Sequence, residues 1–131
     1  MSAGSPGGRR KRGRLSRSGD FDRVYREGRS HANRFLVLYT FPRGSAVEGE
    51  DDTRLGISVS RKVGGAVDRN AVKRALREAF WSMTPQVRGA HDFVLVARPD
   101  VAGLLEREGT RGVAESLGGL LAEAGVTGEG V

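Results

Sequence analysis

The stretch from Asp68 to Met83 constrains this chain more than any other. Wound at about 100° per residue, it brings Val72, Leu76, Ala79, Phe80 and Met83 into one arc, the apolar stripe of a helix that must lie on another layer. Beside that stripe, Arg69, Lys73 and Arg77 recur at every fourth position and form a ridge, and Asn70 and Arg74 form the next. Asp68 and Glu78 stand at the margins. Like charges at i, i+4 destabilise an isolated helix by roughly 0.2–0.5 kcal/mol per pair, so a merely solvated face would alternate signs. An uncompensated ridge fits a polyanion, with the cations on phosphates and the Asn70 amide free to donate and accept on sugar or base edges. Arg61 and Lys62, just upstream, extend the patch through the Gly64-Gly65 turn. Asp68 is the expected N-cap, and Pro85 lies just beyond the end, where proline is tolerated.

The other elements follow from shorter patterns. Phe21, Val24 and Tyr25 have the i, i+3, i+4 spacing of a short amphipathic helix that ends near Glu27-Gly28. Arg34 to Thr40, Arg54 to Ser60 and His91 to Arg98 read as strands, the second by strict alternation at Leu55, Ile57 and Val59. Pro42 to Asp52 reads as an acidic loop. A short helix is expected after Pro99-Asp100 and a final one over Thr110–Ala124, with Leu117, Leu120 and Leu121 on its buried side. Phe80, Trp81 and Phe93 are expected in the core. The order predicts an α+β fold, an α/β two-layer sandwich in which helices pack on a small mixed sheet of about four strands.

Charge separates the ends from the middle. Lys plus Arg number 22 against 16 acids, a net charge of +6, and all but Lys11, Lys62 and Lys73 of those cations are arginine. Arginine presents a planar fork that fits phosphate and stacks on bases. Residues 1–13 are read as a disordered basic arm, 14–124 as one domain and 125–131 as a flexible tail. The absence of cysteine excludes disulfides, thiolate metal sites and cysteine nucleophiles, and fits a cytoplasmic location. No apolar run approaches the ~20 residues of a membrane span, and none follows the basic N-terminus as a signal peptide would need. No carboxylate cluster of the kind a metal nuclease uses is visible. Asp51 and Asp52 fall in the loop, Asp20 and Asp22 beside a helix start, and His31 and His91 stand alone, so no catalytic side chain and no metal ligand is expected.

The segment Ser60 to Phe80, with its Gly-x-Ala-Val turn at Gly64-Gly65-Ala66-Val67 and the Arg-Asn-x-x-Lys-Arg-x-x-Arg helix from Arg69 to Arg77, resembles the signature of the bacterial ribonuclease P protein subunit. Two further segments look similar: Arg14-Leu15 through Asp20-Phe21, Val24-Tyr25 and Gly28, and Ala32-Asn33-Arg34 with Leu38-Tyr39. The resemblance runs from about Arg14 to Arg98 and more loosely to Ala124. It implies a ribosomal-protein-like fold. It also implies the protein subunit of a ribonucleoprotein that cuts precursor tRNA to its mature 5′ end, with magnesium held mainly by the RNA subunit and substrate. Its partners would be the catalytic RNA and precursor tRNA, with no membrane and no protein partner required.

By the same resemblance, Arg61, Lys62, Arg69, Asn70, Lys73, Arg74 and Arg77 contact the catalytic RNA. Phe21, Tyr25 and Tyr39 match the aromatic positions of a cleft that takes the single-stranded 5′ leader, with Val37 beside Tyr39. The residues also argue for this on their own terms. Phe21 and Tyr25 share a helix face, Val37 and Tyr39 share a strand face, and single strands are held by aromatic platforms in positive grooves. The competing reading makes all of them core residues. The departures from the family pattern are the long Arg-rich arm, the acidic loop from Gly44 to Asp52 and a C-terminal part with more acids than bases, the last two expected to face away from RNA. Two other functions stay open: a generic RNA-binding or ribosomal-type protein without a processing role, and a DNA-binding protein. The second fits less well, because a recognition helix mixes base-reading polar residues with backbone contacts, whereas nearly every outward position here is a cation.

Overall fold

The computed structural model describes residues 12–14, 18–42, 53–83 and 91–125. Its elements in order are β1 (Arg12–Arg14), α1 (Ser18–Glu27), β2 (Arg29–Ala32), β3 (Leu36–Pro42), β4 (Thr53–Val59), α2 (Ala66–Met83), β5 (His91–Ala97) and α3 (Val101–Ala124). The strands form one mixed sheet in the order β1-β4-β5-β3-β2. β4 runs parallel to β1 and β5, and β3 runs antiparallel to β5 and β2. The α+β class with helices on a small mixed sheet is as expected. The sheet has five strands rather than about four, because β1 and β2 are short and mostly polar. β1 also takes in Arg12 and Gly13, which the sequence assigned to the arm. The rest of the arm, the loop with Glu48, Glu50, Asp51 and Asp52, Pro85 and the end of the tail lie outside the described residues.

Strand alternation gives the sheet two unlike faces. Leu36, Leu38, Leu55, Phe93 and Leu95 point to one side and bury against Val72, Leu76 and Phe80 of α2 and Val113, Leu117 and Leu121 of α3. This is the main core, and the stripe expected on α2 supplies it. Met83 and Trp81 sit at its edge, half-buried, with Trp81 edge-on to Phe80 at 4.9 Å. Among the described residues, the opposite face carries only α1, with Val24 and Val94 at the centre of a smaller cluster that Phe21, Tyr39, Phe41 and Val96 border.

Two starts differ from the sequence reading, those of α2 and β3. α2 starts at Ala66, so Asp68 is its third residue and not the N-cap. The Gly65 carbonyl accepts the Arg69 N–H at 2.9 Å, and Asp68 places its charge in the first turn, where the helix dipole favours it. β3 starts at Leu36, two residues late. The Asn33 side-chain oxygen accepts the N–H groups of Phe35 and Leu36, both at 2.9 Å, and holds Arg34 and Phe35 in a turn. The expected division of the C-terminal part into two helices is seen within α3, which breaks at Gly109, whose φ of 69° lies outside the right-handed helical region.

α1 leads into β2 through Gly28, whose N–H donates to the Val24 carbonyl at 2.8 Å. A Cβ there would stand 2.6 Å from the carbonyl oxygens of both Thr40 and Val24. Those are backbone atoms that can yield only if α1 lifts from β3. Gly28→Ala is therefore expected to cost about 1–3 kcal/mol, the usual range for overpacking, read as a lower midpoint in urea with an unchanged slope. An unchanged midpoint would show that α1 is not held at this distance.

Candidate nucleic-acid interface

The sheet face beneath α1 is a partly covered cleft. Its floor is laid out in cross-strand rows. Gly56, Val94, Tyr39 and Ser30 form one row, and Ser58, Val96, Val37 and Ala32 form the next. α1 overhangs this floor with Phe21 and Tyr25 on one side of the helix, their rings 6.1 Å apart. Tyr25 meets Tyr39 edge-on at 4.8 Å. All four residues expected at the leader site, Phe21, Tyr25, Val37 and Tyr39, thus border one cleft, and none is fully buried. Tyr25 is 39% exposed, in contrast to Phe80 and Phe93, which are sealed in the main core. Partial burial and the neighbouring Tyr39 push the Tyr25 hydroxyl above its usual pKa of 10.0, and a hydrogen bond with Ser58 pulls it part of the way back. At neutral pH the Tyr25 phenol therefore remains a neutral ring, suited to stacking on bases.

The cations stand at the end of the same strand. β4 carries Gly56 and Ser58 across the cleft floor, then passes through Arg61 and Lys62 into α2. Arg61, Lys62, Asn70, Arg74 and Arg77 are exposed, while Arg69 and Lys73 are half-buried along the edge of the core stripe. Helical phase explains the difference. Arg69 and Lys73 fall next to Leu76 and Phe80, so part of each side chain lies against the core stripe. Among the described residues, none of these six cations makes an ion pair. The Arg69 Nε is buried with no hydrogen-bond partner there. An unmet donor of this kind costs about 1–3 kcal/mol. Glu78 stands exposed at the margin of this face, four residues after Arg74, and makes no ion pair with it among the described residues. Asp68 and Glu106 line a groove between α2 and α3, on the opposite side of α2 from the ridge. Arg111 and Glu115 pair with each other along α3.

Sequence reasoning missed one arrangement in the cleft. Asp92, fully buried on the α1 side of β5, receives Nε and NH2 of Arg54 at 2.8 Å each and NH2 of Arg23 at 3.2 Å. The partners lie 38 and 69 residues away in sequence, so no local spacing announces them. The available signal was an acid alternating with Val94 and Val96 on one strand face. It also missed Ser58, and Val67, which stands 82% exposed beside the ridge. The two histidines take structural places: His31 lies 3.7 Å from Glu123, and His91 stacks on Phe93.

Comparison with known proteins bears on the whole arrangement. The family model described as Ribonuclease P matches residues 10–122. The ribonuclease P protein component of Halalkalibacterium halodurans is 43% identical over 95 residues, 72% of this chain and 76% of that protein. That of Shouchella clausii is 41% identical over 99 residues, 76% and 78% of the two chains. The solved RNase P protein of Staphylococcus aureus matches with a TM-score of 0.74 and 38% identity, over 87% of this chain and 96% of its own. The one from Thermotoga maritima matches at 0.70 and 34%, over 82% and 94%. Both the sequence over most of its length and the fold are thus shared with these proteins, and the chain belongs to the Ribonuclease P family as a protein component acting in tRNA 5′ processing.

Proposed function

We propose that this chain joins a catalytic ribonuclease P RNA through Arg61, Lys62, Arg69, Asn70, Lys73, Arg74 and Arg77. In the same reading it receives the 5′ leader of precursor tRNA in the cleft bordered by Phe21, Tyr25, Val37 and Tyr39. The observation that carries the proposal is the continuity of β4, which leads from an aromatic cleft directly to a ridge of cations that make no ion pair among the described residues. A single strand leaving the cleft past Ser58 meets positive charge at once, and that combination of stacking platform and electrostatic track suits unpaired RNA. Cleavage itself belongs to the RNA. The one fully buried carboxylate in the cleft, Asp92, is already engaged by two arginines. Magnesium ions held mainly by the RNA subunit and the substrate supply activation of the attacking water. The protein's part is to hold the leader and the RNA in register in the cytoplasm. Among the described residues no helix is long and apolar enough to cross a membrane.

Reconstitution tests this. The protein is mixed with a bacterial ribonuclease P RNA and precursor tRNA at low magnesium, and release of the 5′ leader is followed. Cleavage should rise steeply with protein concentration. Tight RNA binding without stimulation would leave the generic RNA-binding reading in its place.

A further inference from the structure

We infer that Asp92, through Arg23 and Arg54, is a positioning residue that sets where α1 stands on the sheet and hence how wide the leader cleft is. This rests on the proposal that the cleft takes the leader. α1 is a single ten-residue helix, too short to be stable in isolation, and it bears Phe21 and Tyr25, half of the cleft's wall. Its apolar contact with the sheet, centred on Val24 against Val94, is non-directional. Such contact would let the helix slide or roll and carry both rings with it. Arg23 lies in sequence between the two ring positions. Its guanidinium reaches Asp92 at 3.2 Å and lies 5.3 Å from the Phe41 ring centroid. Arg54 grips the same carboxylate with two bonds of 2.8 Å, which fix its plane on the sheet. The position of α1 is thereby referred to β4 and β5, the strands that form the cleft floor.

Burial makes a purely stabilising role a poor explanation. Removing a carboxylate from water is costly, and apolar replacements of buried ion pairs are often as stable or more so. On this face Asp92 alternates with Val94 and Val96, where a third apolar residue would pack. What an apolar residue cannot supply is direction. With no exposed surface of its own, Asp92 acts on the leader only through the arginines.

The test uses the reconstituted holoenzyme and compares affinity for precursor and mature tRNA. Arg23→Met keeps the stem but removes the bonds. It should lower the preference for precursor by about tenfold or more, the lower end of the scale of a lost hydrogen bond to a charged group, while affinity for the catalytic RNA holds. Arg23→Lys, which keeps the charge, should recover most of the preference, which a loss of packing alone would not. Asp92→Asn should act in the same direction. If it fails to fold, Arg23→Met still decides, because that side chain is 36% exposed. Tyr39→Ala serves as the reference. If it lowers the preference and Arg23→Met does not, the positioning role is overturned while the cleft stands. If neither lowers it, the leader site itself is wrong and this inference falls with it. Equal losses on precursor and mature tRNA with Arg23→Met would also overturn positioning.

Discussion

Replacing Arg69, Lys73 and Arg74 together by glutamine should lower affinity for the catalytic RNA on the order of a hundredfold at moderate salt, and should flatten its dependence on salt. The two effects have one origin. Each phosphate neutralised by a side chain releases condensed counterions, so losing three contacts should reduce the slope of log affinity against log salt by about 2–3. The three residues are chosen by geometry. Arg69 and Lys73 are half-buried along the core stripe, and Arg74 is exposed on the next ridge. No acid pairs with any of them among the described residues. The matched control is Arg107→Gln with Arg111→Gln on α3, where Glu115 already answers Arg111 at 3.4 Å. That pair should change neither affinity nor slope. A triple variant with an unaltered slope would show that α2 does not lie on phosphates, whatever happened to affinity.

How far the sequence could carry this depended on whether the signal was local. α2 was legible almost in full, because a long helix repeats its instruction every turn: Val72, Leu76, Ala79 and Phe80 went to the core as the period required. The same period placed Arg69 close to the core stripe, yet its charge argued for an outward place. The structure leaves Arg69 half-buried along the edge of the stripe. β4 and β5 were legible from alternation and apolar density. β1 and β2 were not, since strands of three and four residues are defined by the neighbours they pair with. Asn33 shows the same limit. It belonged to a recognisable motif, but its work is to cap the turn into β3 and to donate to Ser116 of α3 at 2.9 Å, a contact 83 residues away. The aromatic residues were legible as candidates and not as a cleft. Only the register that sets Tyr39 beside Val94, and α1 above them, separates a half-open platform from a sealed core.

That half-open state is why Tyr39 gives the second large effect. Tyr39→Ala should weaken binding of leader-bearing precursor by roughly 5- to 100-fold, the range of one lost base–aromatic stack, and leave mature tRNA nearly unaffected. The expected asymmetry follows from where the ring sits. It borders the smaller cluster, edge-on to Tyr25 at 4.8 Å, and supports no part of the main core beneath α2 and α3. Truncation therefore removes a platform without opening the cavity that a Phe80→Ala change would leave. Tyr39→Phe keeps the ring and should keep most of the preference, because stacking needs the face and not the hydroxyl. Progressive shortening of the leader should erase the difference between the native protein and Tyr39→Ala, since a substrate with nothing to place in the cleft cannot sense its floor. Equal losses on precursor and mature tRNA would make Tyr39 a packing residue, and the cleft would then be only the underside of α1.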